Sequence, residues 1–317
     1  MSSWLLKTAV QHVISALPQS ERWNGLLQRY VTGGLQLQPY GEFQAKLIAC
    51  SRHYEYYQMC SRQRRENFSV VEIGTGWFPI VPIGLYLCGA GEIRTYDVVR
   101  LLQKDTFRKV IECFCLFAET GELYKILPSV RVERVAELIR LRSSLKGMVP
   151  VECLKRFNIH AMIGDVRALP LRAGSVDLVF SHGVLEHLPP VMLGEAFREL
   201  RRLCSRDSVM SHFIGMADQF ATFDRSITPF NNMRYSARTW RWLNNSLIPQ
   251  NRLRISDYRR AYGCGGFEIV AEEDLNGAES DLAGIKLSPE FVHYAKSDLL
   301  VLFSWLVGRP IEGLGQG

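Results

Sequence analysis

The sequence predicts an α/β fold built around residues 68–98. Val70–Ile73 is a short apolar run rich in β-branched residues, which is typical of a buried strand. Gly74-Thr75-Gly76 follows directly, and two glycines there allow a sharp turn and a close approach of the backbone to a ligand. Pro79 suits the first turn of a helix, where its missing N–H costs nothing. Strand, glycine turn and helix N-terminus thus occur in the order of a nucleotide-type site.

The next apolar run carries an acidic residue at its carboxyl end. This run is Ile93–Val98, and Asp97 lies 21 residues after Gly76. A carboxylate at such a position can accept hydrogen bonds from the two hydroxyls of a ribose. The spacing therefore predicts a second strand that contributes to the same site.

Two residues distinguish this loop from a dinucleotide-binding loop. A G-x-G-x-x-G turn requires glycine at position 79, which is occupied by Pro79. Glu72 lies just before the loop, where a carboxylate would repel a pyrophosphate and attract a cationic amino-acid group. The pattern therefore favours S-adenosylmethionine over a dinucleotide.

The run Glu72-Ile73-Gly74-Thr75-Gly76 resembles the first motif of class I (Rossmann-like) S-adenosylmethionine-dependent methyltransferases. Phe78 stands where a third glycine is often found in that family. The resemblance covers most of the chain and implies a Rossmann-like, seven-stranded, mostly parallel sheet with an antiparallel last strand. It also implies S-adenosylmethionine as the cofactor, and it specifies the cofactor better than the acceptor.

Later motifs follow in the order that the resemblance implies. Strand Ile159–Ile163 ends at Gly164-Asp165, where the family places an acid that accepts from the adenine amino group; a turn-forming Gly-Asp is the alternative. Strand Ser175–His182 precedes Glu186-His187-Leu188, at the strand end where donor and acceptor should meet. The cofactor-binding residues expected from these motifs are Glu72, Gly74, Thr75, Gly76, Asp97, Asp165, Val166, Ser181 and His182.

The remaining periodic segments complete the alternation of helices and strands. Helices are predicted for Val99–Phe117, Val130–Leu145 and Met192–Leu203, and strands for Ser208–Ile214, Gly266–Val270 and Leu299–Leu306. The last two strands would form the antiparallel pair of the sheet.

Helical segments precede and interrupt this core. We expect 1–67 to form a helical N-terminal extension and 68–317 to form the methyltransferase domain, with insertions at 118–155 and 215–260. The insertion 215–260 is dense in polar and aromatic side chains. Because long loops inside compact domains are usually functional, we expect it to form the acceptor side.

Two features of the N-terminal extension allow more than one interpretation. Apolar residues recur at helical spacing over Trp4–Leu17, which favours packing on the catalytic domain, with contact to a membrane surface as the alternative. His53, with the tyrosines around it, could form a lid over the cofactor or a buried aromatic cluster. The extension itself could be a lid, a dimer surface or a membrane-facing arm.

Composition sets outer bounds on function. The chain has 317 residues, 47% hydrophobic and 22% charged, so it can bury a full core and disorder is not expected. A net charge of +6 permits an anionic partner without requiring one. Eight cysteines without a CxxC pair indicate reduced thiols in a cytoplasmic protein, and no metal site is expected. No apolar run approaches the roughly 18–20 residues of a membrane span, and no signal peptide is expected.

The chemistry of methyl transfer requires mainly geometry from the protein. A sulfonium methyl is already activated, so in-line approach and exclusion of water supply much of the acceleration. A hydroxyl acceptor must also lose its proton, and His212 or His187 could remove it. Asp218 could orient such a histidine. The alternatives are a brace of the turn by His187, a structural role for His212 and a turn cap by Asp218. His212 lies near the end of a predicted strand, so its side chain is expected to point toward the cleft.

These observations predict an S-adenosylmethionine-dependent O-methyltransferase that acts on a small-molecule or sugar-containing metabolite. Three runs resemble a bacterial branch of the family associated with glycan or secondary-metabolite pathways: Gly74–Pro79, Gln250–Tyr258 and the closing run Ser297–Arg309. N-methylation is the nearest alternative. A nucleic-acid methyltransferase is less favoured because the positive charge is not gathered into one tract. An NAD(P)-dependent oxidoreductase and a noncatalytic scaffold are the remaining alternatives, and the oligomeric state stays open.

Overall fold

The computed structural model describes residues 4, 8, 10, 37–143, 147–222, 224–244 and 249–312. Seven strands are present in them: β1 (Ser69–Ile73), β2 (Glu92–Asp97), β3 (Ile159–Ile163), β4 (Val176–His182), β5 (Cys204–Gly215), β6 (Phe267–Asn276) and β7 (Val301–Pro310). They form one sheet in the order β3-β2-β1-β4-β5-β7-β6. Strands β1 to β5 are mutually parallel, and β7 runs antiparallel to both β5 and β6. The predicted fold class is therefore confirmed, including the antiparallel last strand.

Helices cover both faces of the sheet. They are α1 (Gln44–Cys60), α2 (Ile80–Leu87), α3 (Lys104–Glu119), α4 (Glu122–Ile126), α5 (Val132–Arg142), α6 (Pro150–Lys155), α7 (Pro190–Leu203), α8 (Ala237–Leu243), α9 (Ile255–Cys264), α10 (Glu279–Ala283) and α11 (Lys296–Leu300). Apolar side chains of α1, α2 and α3 pack on one face of the sheet, and those of α7 and α9 pack on the other. The core thus consists of two layers separated by the sheet.

The chain order of the strands places a binding crevice at the centre of the sheet. From β1 the chain moves outward through β2 to β3, and it then returns to β4 on the other side of β1. In such sheets, ligands bind outside the carboxyl ends of the strands where the order reverses. Residues that follow β1, β2 and β4 are therefore the ones to consider for the site.

The predicted helix after β2 begins later than expected. Periodicity predicted it from Val99, whereas α3 begins at Lys104. The carboxylate of Asp97 accepts the backbone N–H of Val99 at 3.4 Å, and residues 99–102 lie as a loop along the sheet edge. A local hydrogen bond of this kind competes with helix formation, and it leaves the loop available to line a groove.

The predicted insertions contain short helices and turns. Residues 118–155 include α4, α5 and α6, and residues 215–260 include α8 and the first part of α9. Two four-residue 3₁₀ turns also occur in the second segment, at Gln219–Thr222 and Asn231–Arg234.

Little of the predicted amphipathic stretch Trp4–Leu17 lies within the described residues. Trp4 itself is buried against Phe220, with ring centroids 5.6 Å apart. The backbone N–H of Trp4 donates to the carboxylate of Asp224 at 3.2 Å. Trp4 therefore contacts the segment that follows β5.

Charged side chains line β6, which forms one edge of the sheet. Glu268 pairs with Arg62 and Arg309, and Glu272 with Arg259. Glu273 pairs with Arg52 of α1.

All eight cysteines have free thiols, as predicted. Within the part of the chain that the structure describes, no helix has the length and apolar character needed to cross a membrane.

Candidate active site

The loop after β1 requires both of its glycines. Gly74 has φ +82° and Gly76 has φ +64°, a region that side chains with a Cβ rarely adopt. A Cβ on Gly74 would lie 2.4 Å from Cγ2 of Val184, in the turn after β4, whereas one on Gly76 would meet no atom within 4 Å. Gly74 therefore permits close packing of two loops, and Gly76 permits the backbone conformation beside open space.

Asp97 connects the loops after β1 and β2. Its Oδ2 accepts the N–H of Gly76 at 2.9 Å, and its Oδ1 accepts the N–H of Val99 at 3.4 Å. The carboxylate also lines a groove at the carboxyl end of the sheet. The structure thus brings Gly76 and Asp97 together, as the sequence predicted.

The groove lies between the carboxyl ends of β1, β2 and β3. Its lining is mostly apolar, with Asp97 as its acidic member: Thr75, Gly76, Asp97, Val99, Arg100, Leu101, Leu102, Val151, Ala161, Met162 and Ile163. Sequence reasoning missed residues 99–102 and Val151. The available signal for residues 99–102 was the run of apolar residues directly after Asp97, beyond the end of β2.

Glu72 lies buried at the end of β1, beneath the glycine loop. One carboxyl oxygen, Oε2, has no hydrogen-bond partner among the described residues. Burial raises the pKa of this carboxyl to about 8, a shift that Lys46 opposes and Asp97 reinforces. A buried carboxyl without a partner provides a place for a cationic group. Lys46 lies on α1, far from Glu72 in the chain, so no sequence motif indicated it.

Three of the predicted cofactor residues direct their side chains into the core. Thr75 Oγ1 bonds Thr95 Oγ1 at 2.7 Å, and Ser181 Oγ bonds His212 Nδ1 at 2.7 Å. Val166 is buried among the apolar residues beneath α7. Only the backbone groups of these three residues remain to face a ligand.

The expected orientation of His212 toward the cleft is wrong. The ring is fully buried on the α7 and α9 face of the sheet, with ring centroids of Phe197 and Tyr262 6.1 Å and 6.2 Å away. Burial lowers its pKa to about 3. Successive side chains of a strand point to opposite faces, so proximity to a strand end did not determine the face.

Asp218 caps a turn and does not contact a histidine. Its Oδ1 accepts the N–H of Phe220 at 2.8 Å, and its Oδ2 accepts the side-chain amide of Asn231 at 2.9 Å. The carboxyl is buried, and burial raises its pKa. Of the two interpretations from the sequence, the turn cap is the one that the contacts match.

His187 is half-buried in the 3₁₀ turn Leu185–His187 after β4. Its Nδ1 lies 2.5 Å from the carbonyl oxygen of Pro249. A carbonyl can only accept a hydrogen bond, so Nδ1 carries a proton, and Nε2 is the nitrogen that is left to act as a base. The contact therefore braces the turn and also leaves the other nitrogen able to accept a proton.

The neighbouring residue fixes the same turn from its other side. The carboxyl of Glu186 is buried, and its Oε1 accepts the N–H of Gly215 at 3.1 Å. Its backbone carbonyl accepts the N–H of Asn251 at 2.8 Å. The turn is thus held between the end of β5 and the segment that contains Pro249.

His182 lies on the α1 face of the sheet, opposite to Ser181. Its ring stacks on Phe213 with centroids 4.6 Å apart, and Phe213 stacks on Phe303 at 5.7 Å. Its Nδ1 is buried without a partner among the described residues, and burial, with Lys46 nearby, lowers its pKa to about 4. The three rings form an apolar wall at the carboxyl ends of β4 and β5.

His53 belongs to a buried cluster and does not form a lid. The ring is fully buried, and its Nδ1 lies 2.9 Å from Oγ of Ser211. It packs on Phe180 and Trp305, each with a centroid distance of 4.8 Å. This is the second of the two interpretations that the sequence allowed.

Asp165 lies outside the groove lined by Asp97. Its carboxylate is paired with the guanidinium of Arg167, with both oxygens 2.9 Å from Nε. Hydrogen bonds from Arg167 lower the pKa of the carboxyl. Together with Glu195 and Arg198, these residues line a separate surface depression. The structure does not bring Asp165 together with Glu72 and Asp97.

A family model described as "Methyltransferase domain" matches residues 129–211. The match includes β3, β4, the turn with Glu186 and His187, and most of β5. The glycine loop and Asp97 lie before it in the chain. A search of curated proteins found no match to this chain.

Solved methyltransferases and related structures are similar to this chain at low identity. The PH0226 protein of Pyrococcus horikoshii is 14% identical, covers 85% of this chain and 92% of its own, and gives a TM-score of 0.46. Geranyl diphosphate C-methyltransferase of Streptomyces coelicolor, solved with Mg²⁺, geranyl diphosphate and S-adenosyl-L-homocysteine, is 11% identical, with coverage of 82% and 77% and a TM-score of 0.46. A SAM-dependent methyltransferase of Methanosarcina mazei is 10% identical, with coverage of 78% and 94% and a TM-score of 0.43. Similarity at this level does not define a substrate.

Proposed function

We propose that this chain is a class I S-adenosylmethionine-dependent methyltransferase and that it methylates a hydroxyl oxygen of a small-molecule or sugar-containing metabolite. The methyltransferase domain matched at residues 129–211 and the strand order of the sheet support this proposal, with S-adenosylmethionine as the cofactor. The bound cofactor supplies a methyl group that the sulfonium already activates. The residues of the protein then have two tasks, which are to hold both substrates in line and to accept the proton of the hydroxyl.

Four features of the groove and of the loop beside it suit this cofactor. The unpartnered carboxyl of Glu72 would receive the cationic amino group, and Gly74 and Gly76 let the loop backbone lie close to the ligand. Asp97 would accept hydrogen bonds from the ribose hydroxyls. The adenine would lie against the apolar lining that includes Leu101 and Met162. Asp165 is ion-paired outside the groove, so an adenine contact would require it to share its carboxylate with Arg167.

The hydrogen bond between His187 and Pro249 is the observation that supports a hydroxyl acceptor. Because Nδ1–H donates to Pro249, the ring presents Nε2 as a base from the turn that follows β4. Neither His212 nor Asp218 is in a position to replace it, since both are buried within the protein. The stacked rings of His182 and Phe213 would form an apolar wall for the body of the acceptor.

A turnover assay with matched variants tests this proposal. S-adenosylhomocysteine release would be measured with panels of phenols, glycosides and amines. We expect a hydroxyl-bearing compound to be methylated and His187→Ala to lower kcat by about 10²–10⁴-fold, with little change in the Kd for S-adenosylhomocysteine.

His187→Asn is the informative control, because an asparagine amide can still donate to the carbonyl of Pro249 but cannot act as a base. We expect it to be as slow as the alanine variant. Full activity in His187→Asn would assign the histidine to bracing alone. Methylation restricted to amines, with no dependence on His187, would point to N-methylation.

A further inference from the structure

The segment after β5 carries exposed positive charge. Four of its arginines are exposed, and none of them makes an ion pair with any residue that the structure describes: Arg225, Arg234, Arg238 and Arg241. Many other arginines of the molecule are paired, as Arg52 is with Glu273 and Arg167 with Glu195. The segment 225–241 therefore concentrates four such side chains in a short stretch of the chain.

Helix α8 separates these charges from the core. Successive residues of a helix are about 100° apart, so Arg238, Arg241 and Trp242 share one side. All three are exposed, and Trp242 is exposed by 71%. Trp240 and Leu243, on the other side, are buried. We call Arg238, Arg241 and Trp242 the α8 face.

The carboxylates near this helix are engaged in the fold. Asp224 is buried, where it accepts the N–H of Trp4 and the hydroxyl of Ser226. Glu290 accepts the N–H of Ala237 at 2.6 Å, at the start of α8, and also a hydrogen bond from Ser288. Neither Arg238 nor Arg241 forms an ion pair within the described residues, and the pI of the whole chain is 8.9.

We propose that the α8 face docks this protein on an anionic membrane surface. Arginine guanidinium groups pair well with lipid phosphates, and an exposed indole suits the boundary between headgroups and acyl chains. Trp4 packs on Phe220 and Tyr235 and joins the apolar cluster of Trp240 and Leu243 beneath α8. The exposed indole of Trp242 beside the arginines favours a lipid surface over a nucleic acid.

This surface goes beyond the proposed function, but it is connected to the candidate base. The indole N–H of Trp240 donates to the carbonyl of Gln250 at 3.0 Å, and the adjacent Pro249 binds His187. Delivery of an acceptor from the membrane to His187 rests on the proposed function. Docking itself does not, and it is measured without any cofactor.

Vesicle flotation tests the docking. The full-length protein would be mixed with vesicles of phosphatidylcholine alone or with an equal part of phosphatidylglycerol, at low and physiological salt. We expect binding to the anionic vesicles only, weakened by salt. Arg238→Gln with Arg241→Gln should lower the partition coefficient about 25-fold, or about fivefold for each arginine.

Two controls keep the result specific. Arg64→Gln with Arg140→Gln removes the same charge from exposed positions elsewhere, and it should leave binding nearly unchanged. Brominated lipid should quench the fluorescence of the wild type, and Trp242→Phe should lose most of that quenching. Equal weakening by both arginine pairs, or no quenching from Trp242, would overturn the proposal. Binding of a single-stranded oligouridine through the α8 face, without vesicle binding, would assign the surface to nucleic acid instead.

Discussion

At the scale of single residues, Glu72 shows how burial determines the behaviour of this site. Its carboxyl lies beneath the glycine loop, and one oxygen has no partner among the described residues. Because burial disfavours the charged form, the pKa is raised to about 8 in the protein without ligand. Ionisation of Glu72 near neutral pH therefore costs free energy that a bound cation would offset.

Cofactor affinity should consequently depend on pH. Below pH 8 Glu72 is mostly protonated in the free protein, and it must release its proton to pair with an ammonium group. The α-amino group of S-adenosylhomocysteine stays charged up to a pH of about 7.7. Between pH 6 and 7.5 we expect the affinity to rise by nearly tenfold per unit, as measured by calorimetric titration. Glu72→Gln should bind weakly with a flat profile, and a flat wild-type profile would contradict the assignment.

The two glycines of the loop should respond differently to alanine. Gly76→Ala introduces only backbone strain, because the added Cβ meets no atom, and it should cost about 1–2 kcal/mol in unfolding free energy. Gly74→Ala adds a contact of 2.4 Å with Val184 and should cost more. Urea denaturation measures both. Combined with Gly74→Ala, Val184→Ala should recover part of the lost unfolding free energy, and combined with Gly76→Ala it should recover none. Additive effects of Gly74→Ala and Val184→Ala would exclude the clash.

At the scale of elements, Arg252 fastens α8 to the turns around it. Its guanidinium lies between the rings of Trp240 and Phe291, 5.0 Å and 5.1 Å from their centroids. Its NH1 donates to the carbonyls of Asn232 at 3.0 Å and Tyr235 at 2.6 Å. A buried, planar cation thus holds together a segment that has few regular backbone hydrogen bonds.

Lysine should be a poor substitute at this position. Arg252→Lys keeps the charge but loses the stacked plane and the fork of donors, so we expect a loss of about 1–3 kcal/mol in unfolding free energy. The matched control is Arg140→Lys on α5, which is exposed and should change the free energy by less than about 0.5 kcal/mol. Equal effects of the two lysines in urea denaturation would show that the stacking contributes nothing.

The sequence predicted elements better than it predicted the direction of their side chains. The strand-forming runs and the order of motifs placed β1 to β5 correctly, because each run is apolar and bounded by turn residues. His212 was misplaced, since a strand end contributes side chains to both faces and only packing selects one. The start of α3 was misplaced because the bond from Val99 to Asp97 extends the preceding loop.

At the scale of the whole molecule, the site residues that lie close together in the sequence were predictable, and those that come from distant helices were not. Glu72, the glycine loop and Asp97 lie within 26 residues of one another, so their spacing carries the information. Lys46 reaches the same place from α1, and Val151 reaches the groove from α6. Their positions depend on how helices pack across the sheet, and neither residue is marked by a local pattern.

The charged edge strand described above has a consequence for self-association. A strand with unpaired backbone groups is a template for a second copy of itself, and proteins with long, apolar edges tend to assemble that way. On β6 a second copy would have to desolvate ion pairs such as that of Glu272 with Arg259, and it would bring rows of carboxylates side by side. The opposite edge, β3, offers only five residues. Growth of this sheet from one molecule into the next is therefore disfavoured at both ends, and self-assembly would have to use helices or loops.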